Sequence, residues 1–309
     1  MDYIKLFSPA TVANVSCGFD ALGFALNTAG DEMILRKTAQ QGVRISHIEG
    51  ATLSTDPTRN VAGVVALAML KKLVPPVGVE IELYKKVKPG SGLGSSASSA
   101  AGTAYGINEL FNRPFSTLQL TEFARLGEVA ACGEPIADNV AAALYGGFIL
   151  VRSYSPLDIV KLPVPDQLWA TVIHPQIEIK TEDARAVLPL SVPMDIAVRQ
   201  SAYLAGFISG LYESNYGRLS DSLIDLLAEP HRKKIMPYYD DVYAAGKEIG
   251  TLGVGISGSG PSMFALAQGE TIAKKMKEQL IAIFNNKSID YKVYCAQITP
   301  QGVKKIESH

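Results

Sequence analysis

No part of this sequence constrains the fold more than Pro89-Gly90-Ser91-Gly92-Leu93-Gly94-Ser95-Ser96-Ala97-Ser98-Ser99-Ala100, three glycines running directly into small, helix-compatible residues. The preceding Val79 to Val87 alternates apolar and polar side chains over its first residues and reads as a half-buried strand. Strand, glycine turn and helix in that order deliver a helix N-terminus at the end of a sheet. Glycine lets the backbone turn sharply and come close to a ligand. The helix adds unpaired N–H groups and the positive end of its dipole. Polyphosphate suits such a cradle. The bland alternative is a tight turn in which Ser95 or Ser96 is an ordinary N-cap, and it leaves the three glycines unexplained.

Two familiar phosphate loops do not fit. The P-loop requires Gly-Lys-Ser/Thr after its spacer, and no lysine lies between Lys88 and the alanines that follow. The dinucleotide fingerprint requires glycine or alanine where Ser95 stands, and its acidic partner is matched only loosely by Glu109 or Glu122.

A chain of 309 residues exceeds one typical core and points to two domains. The formal charge of -1 provides no global field for nucleic acid or an anionic membrane surface, so a small-molecule partner is expected. Cys17, Cys132 and Cys295 are odd in number and far apart, which argues against a disulfide framework and for a reducing cytoplasm. His47, His174 and His231 lack metal-ligand spacing. Neither a signal peptide nor a long apolar run is visible, so a soluble chain is expected.

Strands are expected at Tyr3 to Phe7, Met33 to Lys37, Leu168 to His174, Val254 to Ser257 continuing as Ser262 to Ala267, and Tyr291 to Ile298. Helices are expected at Asn60 to Leu73, Ser95 to Phe111, Ser116 to Cys132, Asp195 to Tyr212, Leu219 to Ala228, Tyr238 to Ile249 and Thr271 to Phe284. The mixture implies an α+β sandwich. Three prolines between Ser153 and Gln167 mark a boundary, giving domains 1–160 and 161–309. The charged tail from Lys304 to His309 reads as a frayed end.

Three further segments form a constellation with the loop: Ser8 to Gly23, which contains Asn14 and Asp20; Gly127 to Asn139, followed by Gly146-Gly147; and the second glycine turn Gly253 to Ser262. With these in place the chain resembles the superfamily of galactokinase, homoserine, mevalonate and phosphomevalonate kinases over nearly its whole length, and within it the homoserine kinases. The resemblance rests on the glycine loop, on Pro9-Ala10-Thr11 with Asn14 and Gly18-Phe19-Asp20, and on Asp138-Asn139. It extends to Thr181 through Arg185, Glu229 through Arg232, and Gly253 through Pro261. Other members typically carry lysine where Thr11 stands.

The resemblance implies a two-domain fold with an N-terminal domain like ribosomal protein S5 domain 2 and a C-terminal ferredoxin-like α/β sandwich. It implies transfer of the ATP γ-phosphoryl group to the side-chain hydroxyl of L-homoserine. Residues Pro89 to Ser99 would hold ATP, and Ser96 with Glu128 would bind Mg2+. Asn14 and Asp20 would meet the amino group, Arg185 and Arg232 the carboxylate, with Gly258 and Gly260 close by. Asn139 would orient the hydroxyl. Asp138 is either a base or a carboxylate that holds Asn139, since positioning and electrostatics can carry phosphoryl transfer. A homodimer is a further implication of the resemblance.

Two positions depart from the family pattern. Ile136 stands where many homoserine kinases have histidine, and Ser16-Cys17 where they have Gly-Pro. Two alternatives therefore stay open: a related kinase with a different hydroxylated acceptor, and a sensor that binds nucleotide without turnover.

Overall fold

A computed structural model describes residues 1–309, and two sheets organise it. The first begins with the antiparallel pair β1 (Tyr3–Ala13) and β2 (Leu22–Thr38), whose register shifts between Pro9 and Ala10. β3 (Val43–Glu49) runs parallel to β4 (Gly78–Tyr84), with α1 (Val61–Leu73) between them in sequence. Asn60 caps α1 by accepting from the Ala62 N–H. α2 (Ser95–Leu110), α3 (Thr117–Cys132) and α4 (Asp138–Tyr145) follow, and then β5 (Phe148–Tyr154) and β6 (Leu157–Leu162) form a hairpin on β2.

The small residues of α2 are explained by how closely it lies on the sheet. Ala97, Ala100, Ala101 and Ala104 pack with Ile4, Leu6, Met33 and Leu35 of β1 and β2. A Cβ on Gly102 would reach Ser8 Cβ at 3.1 Å and collide with the Met33 sulfur.

The second sheet contains β7 (Leu168–Pro175), β8 (Gly253–Ile256), β9 (Met263–Gln268) and β10 (Tyr291–Gln297) in the order β10-β7-β9-β8, all antiparallel. The long connection from β7 to β8 holds five α-helices, of which the first four are α5 (Thr181–Ala186), α6 (Met194–Glu213), α7 (Tyr216–Ser222) and α8 (Glu229–Arg232). α9 (Tyr239–Ile249) precedes β8, and α10 (Glu270–Asn285) precedes β10. The strand order and the helix before β10 make this half ferredoxin-like. No helix is long and apolar enough to cross a membrane.

An aromatic cluster joins the two halves. Phe148 lies 5.0 Å from Phe24 and 5.7 Å from Phe207, and Phe24 lies 6.0 Å from Phe264, all between ring centroids. All four rings are fully buried in one core that also holds Leu168 and Val172 of β7.

Four local expectations need correction. The tail is not frayed: β11 (Lys304–Ser308) pairs with β1, Ile4 opposite Ser308, and His309 stacks on Tyr3 at 4.3 Å. As an exposed edge strand with one apolar residue, it has no hydrophobic pattern to read. The expected helix to Ala228 stops after Ser222, because the Asp225 carboxylate accepts from the N–H groups of Leu227, Ala228 and Glu229 at 2.7, 2.8 and 3.0 Å. The proline-marked boundary is only partly a linker. Pro156 sits in the β5–β6 turn, and β6 crosses position 160 while still in the first sheet. Finally, the apolar residues on either side of the second glycine turn do not continue as one strand but fold back as the β8–β9 hairpin.

Candidate active site

The glycine loop runs from β4 into α2, and Gly94 is the residue before the helix, at φ 62° with no side-chain cap. Ser95 is therefore not the N-cap; its hydroxyl donates to the Val87 carbonyl at 2.7 Å. The first N–H groups of a 16-residue helix are left without side-chain acceptors, the arrangement that receives an anion. Gly94 also lies against Thr11 and Asn139, whose side chains bond each other at 2.6 Å, Thr11 Oγ1 donating to Asn139 Oδ1. A side chain at 94 meets both a left-handed backbone, which costs about 1–2 kcal/mol, and these two groups. Gly94→Val is expected to lower ADP affinity at least ~10-fold and leave a cooperative thermal transition; unchanged affinity by calorimetry would place the phosphate site elsewhere.

One cavity of about 150 Å³ gathers the expected groups. Ser91, Gly92, Gly94, Ser95 and Ser96 form one wall, and Glu128 of α3 faces them with Asp138 and Asn139 of α4. Asn14 and Asp20 enter from the β1–β2 turn, Arg185 from α5, Arg232 from α8 and Gly258 from the second glycine turn. The two glycine turns meet here: Ser257 Oγ donates to the Gly92 carbonyl and Ser262 Oγ to the Ser91 carbonyl, each at 2.6 Å.

Other expected residues lie outside this cavity. Leu93, Ala97 and Ser98 turn into the core below the loop, with the Ser98 and Ser8 hydroxyls exchanging bonds with each other's carbonyls at 3.0 and 2.7 Å. Gly90 lies against Glu178, and Gly260 against Met236. Pro89 and Ser99 border an adjoining cavity of about 250 Å³, which shares Ser95, Ser96 and Ala131 with the first and adds Leu53, Ser54 and Asn60. Residues 53–60 were not singled out in the sequence, where Asn60 is only the first residue of the expected helix to Leu73.

The two carboxyls near the loop are buried. Burial pushes the Glu128 carboxyl up to about 7 against the opposing pull of the Ser96 hydroxyl and the Lys85 ammonium, and its Oε1 has no hydrogen-bond partner. Burial also raises Asp138 to about 7, with the Asp20 charge adding to the effect. Asp138 Oδ1 accepts from the Asn139 backbone N–H at 2.7 Å and from its amide Nδ2 at 3.3 Å.

At the far end the charges are already paired. Arg185 forks onto Asp20 with Nη1 and Nη2 each 3.1 Å from Oδ2, and also reaches Glu134 at 3.0 Å. Arg232 is buried and donates from Nε to the Ala184 carbonyl at 3.1 Å and from Nη1 to the Gly258 carbonyl at 2.8 Å. The Phe19 ring lies under both guanidiniums, 6.0 Å from Arg185 and 5.2 Å from Arg232. Asn14 lines the cavity and is anchored at both amide atoms: its Oδ1 accepts from the Asp20 N–H and its Nδ2 donates to Gly258, both at 3.0 Å. It opens a strained turn in which Asn14, Val15 and Ser16 have φ of 70°, 46° and 52°. Of the two departures, Ile136 lines the cavity, whereas Cys17 is buried behind it with its carbonyl accepting from Gln200 at 2.7 Å.

The model of the GHMP kinases N terminal domain matches residues 60–147, and that of the GHMP kinases C terminal domain matches residues 207–286. The homoserine kinase of Chlorobium phaeobacteroides (strain BS1) is 38% identical over 320 residues, covering 99% of this chain and 100% of the relative. That of Chloroherpeton thalassium is 41% identical over 304 residues, covering 93% and 95%. The crystal structure of homoserine kinase from Cytophaga hutchinsonii superposes with a TM-score of 0.96 at 46% identity, covering 99% of this chain and 98% of the other. The L. major mevalonate kinase in complex with R-mevalonate, at 16% identity and a TM-score of 0.72, shares the fold. The chain belongs to the homoserine kinase family of the GHMP kinases.

Proposed function

We propose that this chain transfers the γ-phosphoryl group of ATP to the side-chain hydroxyl of L-homoserine. The observation that carries this reading is one small cavity with an uncapped helix N-terminus at one end and Asp20, Arg185 and Arg232 at the other, with Asn139 between them. An amino acid supplies both an ammonium and a carboxylate. Its ammonium is drawn to Asp20 and its carboxylate to the guanidiniums, so the zwitterion replaces the Asp20–Arg185 pair with complementary charges of its own.

The triphosphate tail belongs at the loop and the start of α2, and the nucleoside in the adjoining cavity beside Asn60 and Ser99. Asn139 is held from two sides, by the Thr11 hydroxyl and by Asp138 Oδ1, which presents its amide toward the loop end of the cavity. We assign Asp138 to holding Asn139. Catalysis then rests on positioning the acceptor hydroxyl and on fixed dipoles.

Ser96 and Glu128 fit a magnesium ion, because a hydroxyl and a carboxylate with one unpartnered buried oxygen suit a hard cation that takes few protein ligands. When bound, the ion neutralises charge on the phosphates. The deciding assay is ADP release with ATP and Mg2+ in parallel reactions containing L-homoserine, L-serine, L-threonine, mevalonate or galactose. Turnover with L-homoserine alone is the expected result; turnover with another acceptor, or with none, overturns the assignment.

A further inference from the structure

Directly beneath the glycine loop, Asp31 of β2 and Lys85, the residue after β4, form an ion pair with each side chain only 1% exposed. Removing two charges from water is expensive, and the gain from pairing them rarely exceeds that by much. The position makes it less favourable still. Lys85 lies at the first turn of α2, where the helix dipole repels a cation.

The hydrogen bonds show what the pair holds. Asp31 Oδ1 accepts from the backbone N–H groups of Lys86 and Val87 at 2.8 and 3.1 Å, the residues that lead into the loop. Lys85 Nζ donates to the Ser95 carbonyl at 2.7 Å and to Ser99 Oγ at 2.8 Å, on the helix that leads out of it. The Ser95 hydroxyl closes the circuit onto Val87. An ammonium has three donors, and Asp31, Ser95 and Ser99 take all three. Although Lys85 borders the adjoining cavity, it has no proton left for a ligand.

We infer that Asp31 and Lys85 are a positioning pair that clamps the two ends of the phosphate loop at a fixed separation, so that nucleotide affinity depends on a salt bridge whose ammonium spends all three of its donors within the protein. This rests on the nucleotide-binding reading of the loop, but not on the identity of the acceptor. Neutral anchors would let positions 87 and 95 drift apart, and a displacement of about 1 Å in a positioning element costs up to ~10²-fold.

The test is ADP affinity by calorimetry, with thermal stability measured alongside, for Lys85→Met, Asp31→Asn and the apolar double variant Asp31→Leu/Lys85→Met. ADP affinity is expected to fall at least ~10-fold in all three, while the KM for L-homoserine stays within about twofold. Lys85→Met leaves a buried carboxylate without its partner and is expected to lose stability. The double variant removes both charges and is expected to regain stability while ADP affinity stays low. If the double variant recovers ADP affinity together with stability, the pair is only structural and the clamp is wrong. Full ADP affinity in Asp31→Asn overturns it as well, since Asp31 borders neither cavity. Failure of the acceptor assignment looks different: wild-type protein binds ADP but does not turn over L-homoserine, and the comparison of variants is still decided by ADP affinity. Wild-type protein that does not bind ADP sinks both readings.

Discussion

Glu128→Gln is expected to remove most turnover and at the same time stabilise the ligand-free chain at alkaline pH. The Glu128 carboxyl is buried, is pushed from 4.5 to about 7, and has one oxygen without a partner. Folding above pH 7 therefore buries an ionised carboxylate that the unfolded chain leaves in water. The native state holds its proton up to about pH 7 and the unfolded state only to about 4.5, so stability declines as pH rises through that window. The full penalty is about 3 kcal/mol above pH 7. Glutamine carries no charge and escapes the penalty. The melting temperature of the variant should exceed that of wild type at pH 8 and approach it by pH 5. Turnover should fall ~10²-fold or more, because the proposed magnesium site draws its charged ligand from this carboxylate. A variant with unchanged rate at limiting Mg2+ would reject the metal role. A stability difference that did not depend on pH would reject the burial argument.

Arg232→Lys is the second large expected effect, and it should fall on one substrate only. Two of the Arg232 nitrogens are committed to the carbonyls of Ala184 and Gly258, which fixes the plane of the guanidinium over Phe19 and leaves Nη2 without a protein acceptor. Lysine has a single nitrogen and cannot hold both carbonyls and a carboxylate in that plane. The KM for L-homoserine should rise ~10²-fold, equivalent to about 2.7 kcal/mol, with the KM for ATP within a few-fold. Steady-state kinetics with each substrate varied in turn decides it. Equal effects on both substrates would remove the carboxylate role and leave Arg232 as a brace between α5, α8 and the second glycine turn.

Much of the architecture was legible because its signals are local. Val79 onward alternates as a strand should, and β4 ends at Tyr84, where the polar Lys85 and Lys86 begin. The helix from Ser95 carries small residues throughout, and the structure shows that they accommodate the sheet. The ferredoxin-like half was recoverable from the strands at Leu168, Val254, Ser262 and Tyr291, whose apolar runs are bounded by Gly, Pro or charged residues. The two edge strands at the ends of the first sheet were not recoverable. β11 and β3 are mostly exposed, so no core face imposes a pattern on them.

The candidate site divides in the same way. Residue type and close spacing made the glycine loop readable as a phosphate cradle, whereas Ser96, Asp138 with Asn139, and the arginines of the Thr181 and Glu229 segments were singled out only by the family resemblance. The partnerships among those groups were not. Asp20 and Arg185 are 165 positions apart and pair directly, as do Thr11 and Asn139 across 128 positions. Asn14, which lines the cavity, is also tied to Gly258 and Asp20 by hydrogen bonds that no motif announces. The clamp of Asp31 and Lys85 spans 54 positions and has no motif, because a buried ion pair is visible only when both ends are known to be out of water. Local sequence determined the loop, the longer helices and most of the strands, since backbone conformation and hydrophobic period act over a few residues. Only the tertiary structure decided which charge meets which, because burial and long-range proximity, which set pKa and pairing, are properties of the packed chain.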